Sequence, residues 1–204
     1  QGAGVRTESF GQAHKLTPVD TFGVWLSAVQ VKRRAGALAG KRVGDFGCGF
    51  QATLSRTFLD EVAHLTLCDV ALAEDLRQHE KVTALEGPLP ATLSLVADAS
   101  LDVVLCLSVL EHLDEPEETL AHFRRIVSPG GVVLLNVPSW RGKTFLELSA
   151  FRLGLSPRAE MDDHKMYYDP KDLWPMLVRA GFKPSGLDVF THKFGLNTFA
   201  VCRP

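Results

Sequence analysis

The stretch VGDFGCGFQA, residues 43–52, decides how the rest of the chain is read. An apolar run ends in two glycines one residue apart. That is the pattern of a buried strand passing into a loop whose backbone must approach a ligand closely. Gly47, Gly49 and Ala52 satisfy the fingerprint G-x-G-x-x-G/A, and Asp69 follows where an acid can accept hydrogen bonds from ribose hydroxyls. Two ligands fit these ten residues: a dinucleotide, or an adenosine cofactor without a pyrophosphate. Asp45, two residues before Gly47, separates them. A carboxylate there repels a pyrophosphate but complements a ligand that carries a free ammonium.

Outward from this stretch, short apolar runs alternate with helix-like segments. The pattern predicts strands at 42–46, 64–68, 81–85, 101–107 and 131–137, with helices near 52–62, 72–79 and 115–127. Such alternation implies a parallel sheet covered on both faces. Ahead of it, Thr17-Pro18-Val19-Asp20 opens a helix that runs to about Ala39, with Phe22, Leu26, Val29 and Arg33 on one face. Residues 1–16 are polar and aperiodic and are expected to be mobile. Residues 138–168 are too long for a plain connection and read as a lid-like insertion. Asp169-Pro170-Lys171-Asp172 opens a further helix that ends at Ala180-Gly181 and contains Pro175. Two last strands, 185–191 and 197–202, are joined by only Lys193 to Leu196, which forces an antiparallel hairpin. The expected architecture is a single domain over 1–204, with 1–39 as an N-terminal arm and helix. Its fold class is α/β, a Rossmann-like three-layer sandwich whose seven-stranded, mostly parallel sheet ends in a C-terminal antiparallel hairpin.

Composition narrows the function classes. With 204 residues and a net charge of −2, the chain has no electrostatic stripe for nucleic acid. Lys32-Arg33-Arg34 is the basic end of a helix, where cations complement the dipole. Cys48, Cys68, Cys106 and Cys202 lack metal-type spacing and read as small buried hydrophobes in a reducing compartment. No apolar run is long enough for a membrane span, and no signal-peptide pattern opens the chain; the expected location is cytoplasmic. The sequence is silent on oligomeric state.

VGDFGCGF, the acidic strand end LTLCDV, the run SLDVVLCLSVLEHLDEPEETLAHFRRIVSPGGVVLLNVP, and MYYDPKDLWPMLVRAGF before the last hairpin occur in that order. From about residue 40 to the end, the chain resembles the class I S-adenosylmethionine-dependent methyltransferases that act on small molecules. The resemblance implies S-adenosyl-L-methionine as cofactor. It implies Asp45 toward the ligand's ammonium, the backbone of Gly47, Cys48 and Gly49 against the ligand, and Asp69 with Val70 at the ribose. Gly87 falls near the adenine, and Leu107 with Ser108 beside the methionine end. A helix from about Ala52 is expected to offer N–H groups to the cofactor carboxylate. Two departures stand out. Gln51 replaces the loop's third glycine. The acid that reads the adenine amino group is missing: Glu86 comes early, followed by Gly87 and Pro88, which leaves backbone groups and Leu89.

A hydroxyl acceptor needs its proton removed by a base or a metal. Glu111-His112 after strand four and His164 in DDHKMYY are the candidates. This arrangement is similar to two metal-assisted O-methyltransferase groups, one acting in ubiquinone biosynthesis and one on the 2′-hydroxyl at small-RNA ends. It makes His112 a candidate base, and Glu111, His112 and His164 a candidate divalent-metal site. Ser108 stands where the RNA group has a second Glu, so that shell is incomplete. His14 is a weaker base candidate; His64, His79, His122 and His192 read as structural or solvated. Trp25, Trp140, Phe145 and Phe151 are candidates for an apolar acceptor pocket or for the core. Two other functions stay open. One is an NAD-dependent oxidoreductase, although it requires Asp45 to face away from the ligand; Tyr167 and Tyr168 precede Lys171 by four and three residues but give no obvious catalytic Tyr-x-x-x-Lys. The other is a catalytically silent cofactor-binding protein. The expected partner is a small-molecule acceptor.

Overall fold

The structure is a computed structural model that describes residues 9–12, 18–144 and 165–204. The expectations for Thr17, His14, Phe145, Phe151, His164 and most of the lid-like insertion therefore lie outside the described residues.

Seven strands form one sheet: β1 Arg42–Phe46, β2 His64–Asp69, β3 Val82–Glu86, β4 Leu101–Leu107, β5 Val127–Pro138, β6 Leu187–His192 and β7 Asn197–Cys202. Their order is β3-β2-β1-β4-β5-β7-β6. β1 to β5 are parallel, while β7 runs antiparallel to both β5 and β6. The central strands are buried on both faces, which explains near-continuous apolar runs such as LDVVLCL in β4. α4 (Pro116–Ile126) and α5 (Pro170–Arg179) cover one face through Leu120, Phe123, Leu173 and Leu177, packed with Phe46 and Phe182. α1 (Pro18–Ala35), α2 (Thr53–Arg56) and α3 (Glu74–Arg77) cover the other, where Val31, Leu54 and Leu76 pack with Phe58, Leu105 and Phe199.

Six strands fall within two residues of where the sequence places them, while β5 begins at Val127 rather than 131; the helices agree less. α2 and α3 are single turns, not the predicted 52–62 and 72–79. Residues 57–62 still bury Phe58, Leu59 and Val62, but through irregular turns. Apolar spacing reports which side chains bury, and a sequence of turns can satisfy it as well as a helix. α1 stops at Ala35 because Gly36 turns left-handed (φ 70°). Its buried face is also not the expected one: Phe22 and Val29 are 54% and 45% exposed, whereas Ser27, Val31 and Ala35 are buried. α5 begins with a reciprocal cap, Asp169 and Asp172 each bonding the other's backbone N–H, with Pro170 in the first turn.

The sheet reverses its strand order between β1 and β4, and the C-terminal ends of β1 to β5 share one rim. His192 pairs with Asn197, which itself pairs with Pro138 at the end of β5, so the β6–β7 turn stands on that same rim. In a doubly wound sheet the crevice above such a reversal is where ligands bind.

Candidate active site

At the end of β1 the carboxylate of Asp45 is buried (3% exposed). Ser55 Oγ donates to its Oδ2 at 2.6 Å. Burial pushes its pKa up to about 7; the negative charge of Asp69 adds to the rise, and the Ser55 hydrogen bond opposes it. A pair of neighbouring acids, one of them buried, is an electrostatic demand for a cation.

The loop after β1 folds back on β2. The N–H groups of Gly47 and Cys48 donate to Cys68 O at 2.7 and 3.3 Å. Asp69 fixes the far side, its Oδ2 accepting from Gly49 N and its Oδ1 from Val70 N, both at 2.8 Å. Each carboxylate oxygen retains a second lone pair for a ligand hydroxyl. Gly47 and Gly49 are left-handed (φ 81° and 76°), and a Cβ on Gly47 would lie 2.1 Å from Val109 Cγ2. Glycine is required there on both counts. The third permissive position is displaced by one residue: Ala52, not Gln51, is left-handed (φ 44°). Because α2 is one turn long, the expected helix N-terminus at Ala52 is reduced to that turn. The Cys48 thiol is half-buried and its pKa is raised by burial and by Asp45 and Asp69, so it is a poor nucleophile.

A segment outside the sequence-based expectation completes this side. Ser9–Gln12, expected to be mobile, is a turn docked on both loops. Phe50 N donates to Phe10 O at 2.9 Å, while Ser9 Oγ donates to Ala71 O and accepts from Ala71 N at 2.8 and 2.7 Å. It straps the glycine loop to the loop after Asp69. Gly87 N donates to Asp69 O (3.0 Å), which brings the end of β3 to the same place. Glu86 is occupied elsewhere, accepting from Leu72 N at 2.8 Å with Arg77 at 3.5 Å.

Beyond β4 the backbone of Leu107 leads into Ser108, which is left-handed (φ 59°) and donates its N–H to Asn136 O at 2.7 Å. The Asn136 side chain is fully buried; its Nδ2 donates to Ser108 Oγ at 3.2 Å, and its Oδ1 has no partner among the described residues. Sequence reasoning missed Asn136, although one amide inside the run VVLLNVP was the available signal. Glu111 and His112 follow in the turn Leu110–His112. Glu111 is 1% exposed, and its Oε1 lies 4.0 Å from His112 Nε2. Its carbonyl accepts from Lys165 N and Met166 N at 2.8 and 3.3 Å, which returns the chain to the rim. Trp140 and Tyr167 pack there at 5.6 Å between centroids. Trp25 instead lies on the outer side of α1, stacked on Phe22.

Among the described residues no group of three or more His, Cys, Asp or Glu side chains is arranged to hold a metal ion, and His164 lies outside them. The residues named for S-adenosylmethionine fit it better: a buried acid for its ammonium, an acid with spare lone pairs for its ribose, and a glycine-lined loop between them.

This site sits within a recognisable family. Residues 26–185 match the family profile described as "Methyltransferase domain", and the chain belongs to that family. Among curated proteins it is 28% identical over 187 residues to the ubiquinone biosynthesis O-methyltransferase of Aeromonas salmonicida (strain A449), covering 84% of this chain and 72% of that protein. Among solved structures it is similar to the DhpI–S-adenosylhomocysteine complex (TM-score 0.63, 22% identity, 92% of this chain and 88% of that one). It is also similar to magnesium protoporphyrin IX methyltransferase from Synechocystis PCC 6803 with bound S-adenosylhomocysteine (TM-score 0.61, 19% identity, 94% and 90%). The protein is a methyltransferase that uses S-adenosylmethionine.

Proposed function

We propose that the protein transfers the methyl group to a hydroxyl of a small molecule, with His112 as the base. The observation that carries this is the Glu111–His112 turn. It places an imidazole on the rim immediately after β4, with a buried carboxylate 4.0 Å from Nε2. When bound, S-adenosylmethionine supplies a methyl group on a positively charged sulfur. With it bound, the acceptor hydroxyl would give its proton to His112 as its oxygen took the methyl group from that sulfur. Glu111 stabilises the resulting imidazolium. Asp45 would hold the cofactor ammonium and Asp69 its ribose hydroxyls, and the backbone at Gly47–Gly49, Val70, Gly87, Leu107 and Ser108 would line its bed. Trp140 and Tyr167 offer an aromatic wall for a flat acceptor. The similarity to a protein named as an O-methyltransferase supports oxygen as the acceptor atom.

The test is methyl transfer from labelled S-adenosylmethionine to a panel of phenols and catechols. His112→Ala is expected to lower kcat about a hundredfold or more at neutral pH, the usual worth of a positioned base. Its Kd for S-adenosylhomocysteine should stay within a few-fold. Turnover within a few-fold of wild type removes His112 as base.

A further inference from the structure

We propose that Lys193 is a specificity-determining residue of the acceptor site, its ammonium selecting hydroxylated acceptors that also carry a carboxylate. This rests on the rim beside Ser108 and His112 being the acceptor side.

The placement comes from the sheet. The turn Lys193–Leu196 stands on the rim because β7 pairs with the end of β5. It is fastened to the chain that leaves β5: Ser139 Oγ donates to Gly195 O at 2.8 Å and Ser139 N to Leu196 O at 3.0 Å. A Cβ on Gly142 would lie 2.1 Å from Leu196 O, so the two segments touch backbone to backbone.

Within this turn two successive residues with side chains, Lys193 and Phe194, are left-handed (φ 50° and 61°). Glycine or asparagine takes that conformation more easily, so the lysine is held there at a conformational cost. The two side chains then go opposite ways. Phe194 is 88% exposed, whereas Lys193 is half-buried and turns inward under α1. Its Nζ would lie 3.9 Å from a Cβ on Gly23, which puts the ammonium against α1.

Among the described side chains this ammonium has no close ion-pair partner. Arg42, Arg56, Lys165 and Arg179 are each paired with a carboxylate, but no described carboxylate lies within 4 Å of Lys193 Nζ. Burial lowers its pKa, and the more distant Glu111 raises it again. Glu111 precedes His112 in the chain, so the ammonium feels the charge carried by that turn. A partly desolvated ammonium with no carboxylate among the described side chains within 4 Å favours an anion when one arrives. A carboxylate there would leave the rest of a flat acceptor extending toward His112.

The experiment compares catechol with 3,4-dihydroxybenzoate. Each is titrated calorimetrically into wild-type, K193M and K193R proteins saturated with S-adenosylhomocysteine, and each is assayed for methyl transfer. The wild type is expected to bind the carboxylated probe about ten- to a hundredfold more tightly, the worth of one charge-assisted hydrogen bond. K193M should reduce that ratio to near one, and K193R should retain part of it. The Kd for S-adenosylhomocysteine checks that each variant is folded. The wild-type ratio decides the matter alone if K193M does not fold. Equal binding of the two probes, binding of neither, or an unchanged ratio in K193M overturns the role of Lys193. A tenfold binding preference without methylation of either probe supports Lys193 and instead removes the hydroxyl reading.

Discussion

Asp45 carries more of the site's chemistry than its place in a buried strand suggests. With its pKa near 7, the folded chain holds that proton more tightly than the unfolded chain, where the ordinary value is 3.8. Its contribution to stability is therefore fully present below pH 3.8 and is lost as pH rises through about 7. With Asp45 in its proposed role, cofactor binding runs the other way, because an ammonium favours the carboxylate. The Kd for S-adenosylhomocysteine is predicted to weaken about tenfold per unit as pH falls below 7, with a proton released on binding. Asp45→Asn should flatten that dependence between pH 5.5 and 7, and calorimetry in two buffers of different ionisation heat measures both effects. Gly47 supports a second residue-level prediction. Gly47→Ala meets Val109 and adopts φ 81°, so it should cost about 2–4 kcal/mol by urea unfolding. Adding Val109→Ala should recover the steric part only. The places of Asp45, Gly47, Gly49 and Asp69 at the ends of β1 and β2 were legible in the sequence because turn geometry and burial dictate residue type. Asn136, Ser9 and Lys193 were not legible, because their meaning comes from partners 28, 62 and more than a hundred residues away.

Among the elements, strands read more truly than helices. β1 and β4 were bounded correctly because burial on both faces leaves little but apolar residues between polar ends. α2 and α3 were overextended because tertiary packing buries the right side chains without continuing the helix. The Ser9–Gln12 strap carried almost no periodic signal; only its docking on the two ligand loops gives it order. That docking predicts coupling to the ligand. Ser9→Ala removes both hydrogen bonds to Ala71 and should cost about 1–2 kcal/mol in stability. It should also weaken S-adenosylhomocysteine about three- to tenfold, since the released loops must be reordered on binding. Unchanged affinity in Ser9→Ala would show that the strap serves stability alone. At α5, Asp169→Ala removes one half of the reciprocal cap and the acceptor for Trp140 N, a loss of about 1 kcal/mol measurable by thermal unfolding.

For the molecule as a whole, the alternation of strands and helices announced a parallel sheet, and the four-residue link at Lys193 announced its antiparallel end. What the alternation could not give is adjacency. Only the order β3-β2-β1-β4-β5-β7-β6 brings Asp69, Gly47, Ser108 and the last hairpin to one rim. The resulting division is physical: the acidic β1–β2 side suits a cationic cofactor, and the side with His112 and Lys193 suits an acceptor to be deprotonated and aligned. The measurement that tests this most directly is the calorimetric Kd of S-adenosylhomocysteine for wild type and Asp69→Asn. The account predicts a weakening of about ten- to a hundredfold in the variant, as expected for loss of a carboxylate that binds two ribose hydroxyls. Affinity equal to that of the wild type in a folded Asp69→Asn protein would mean that the cofactor lies elsewhere than on this rim.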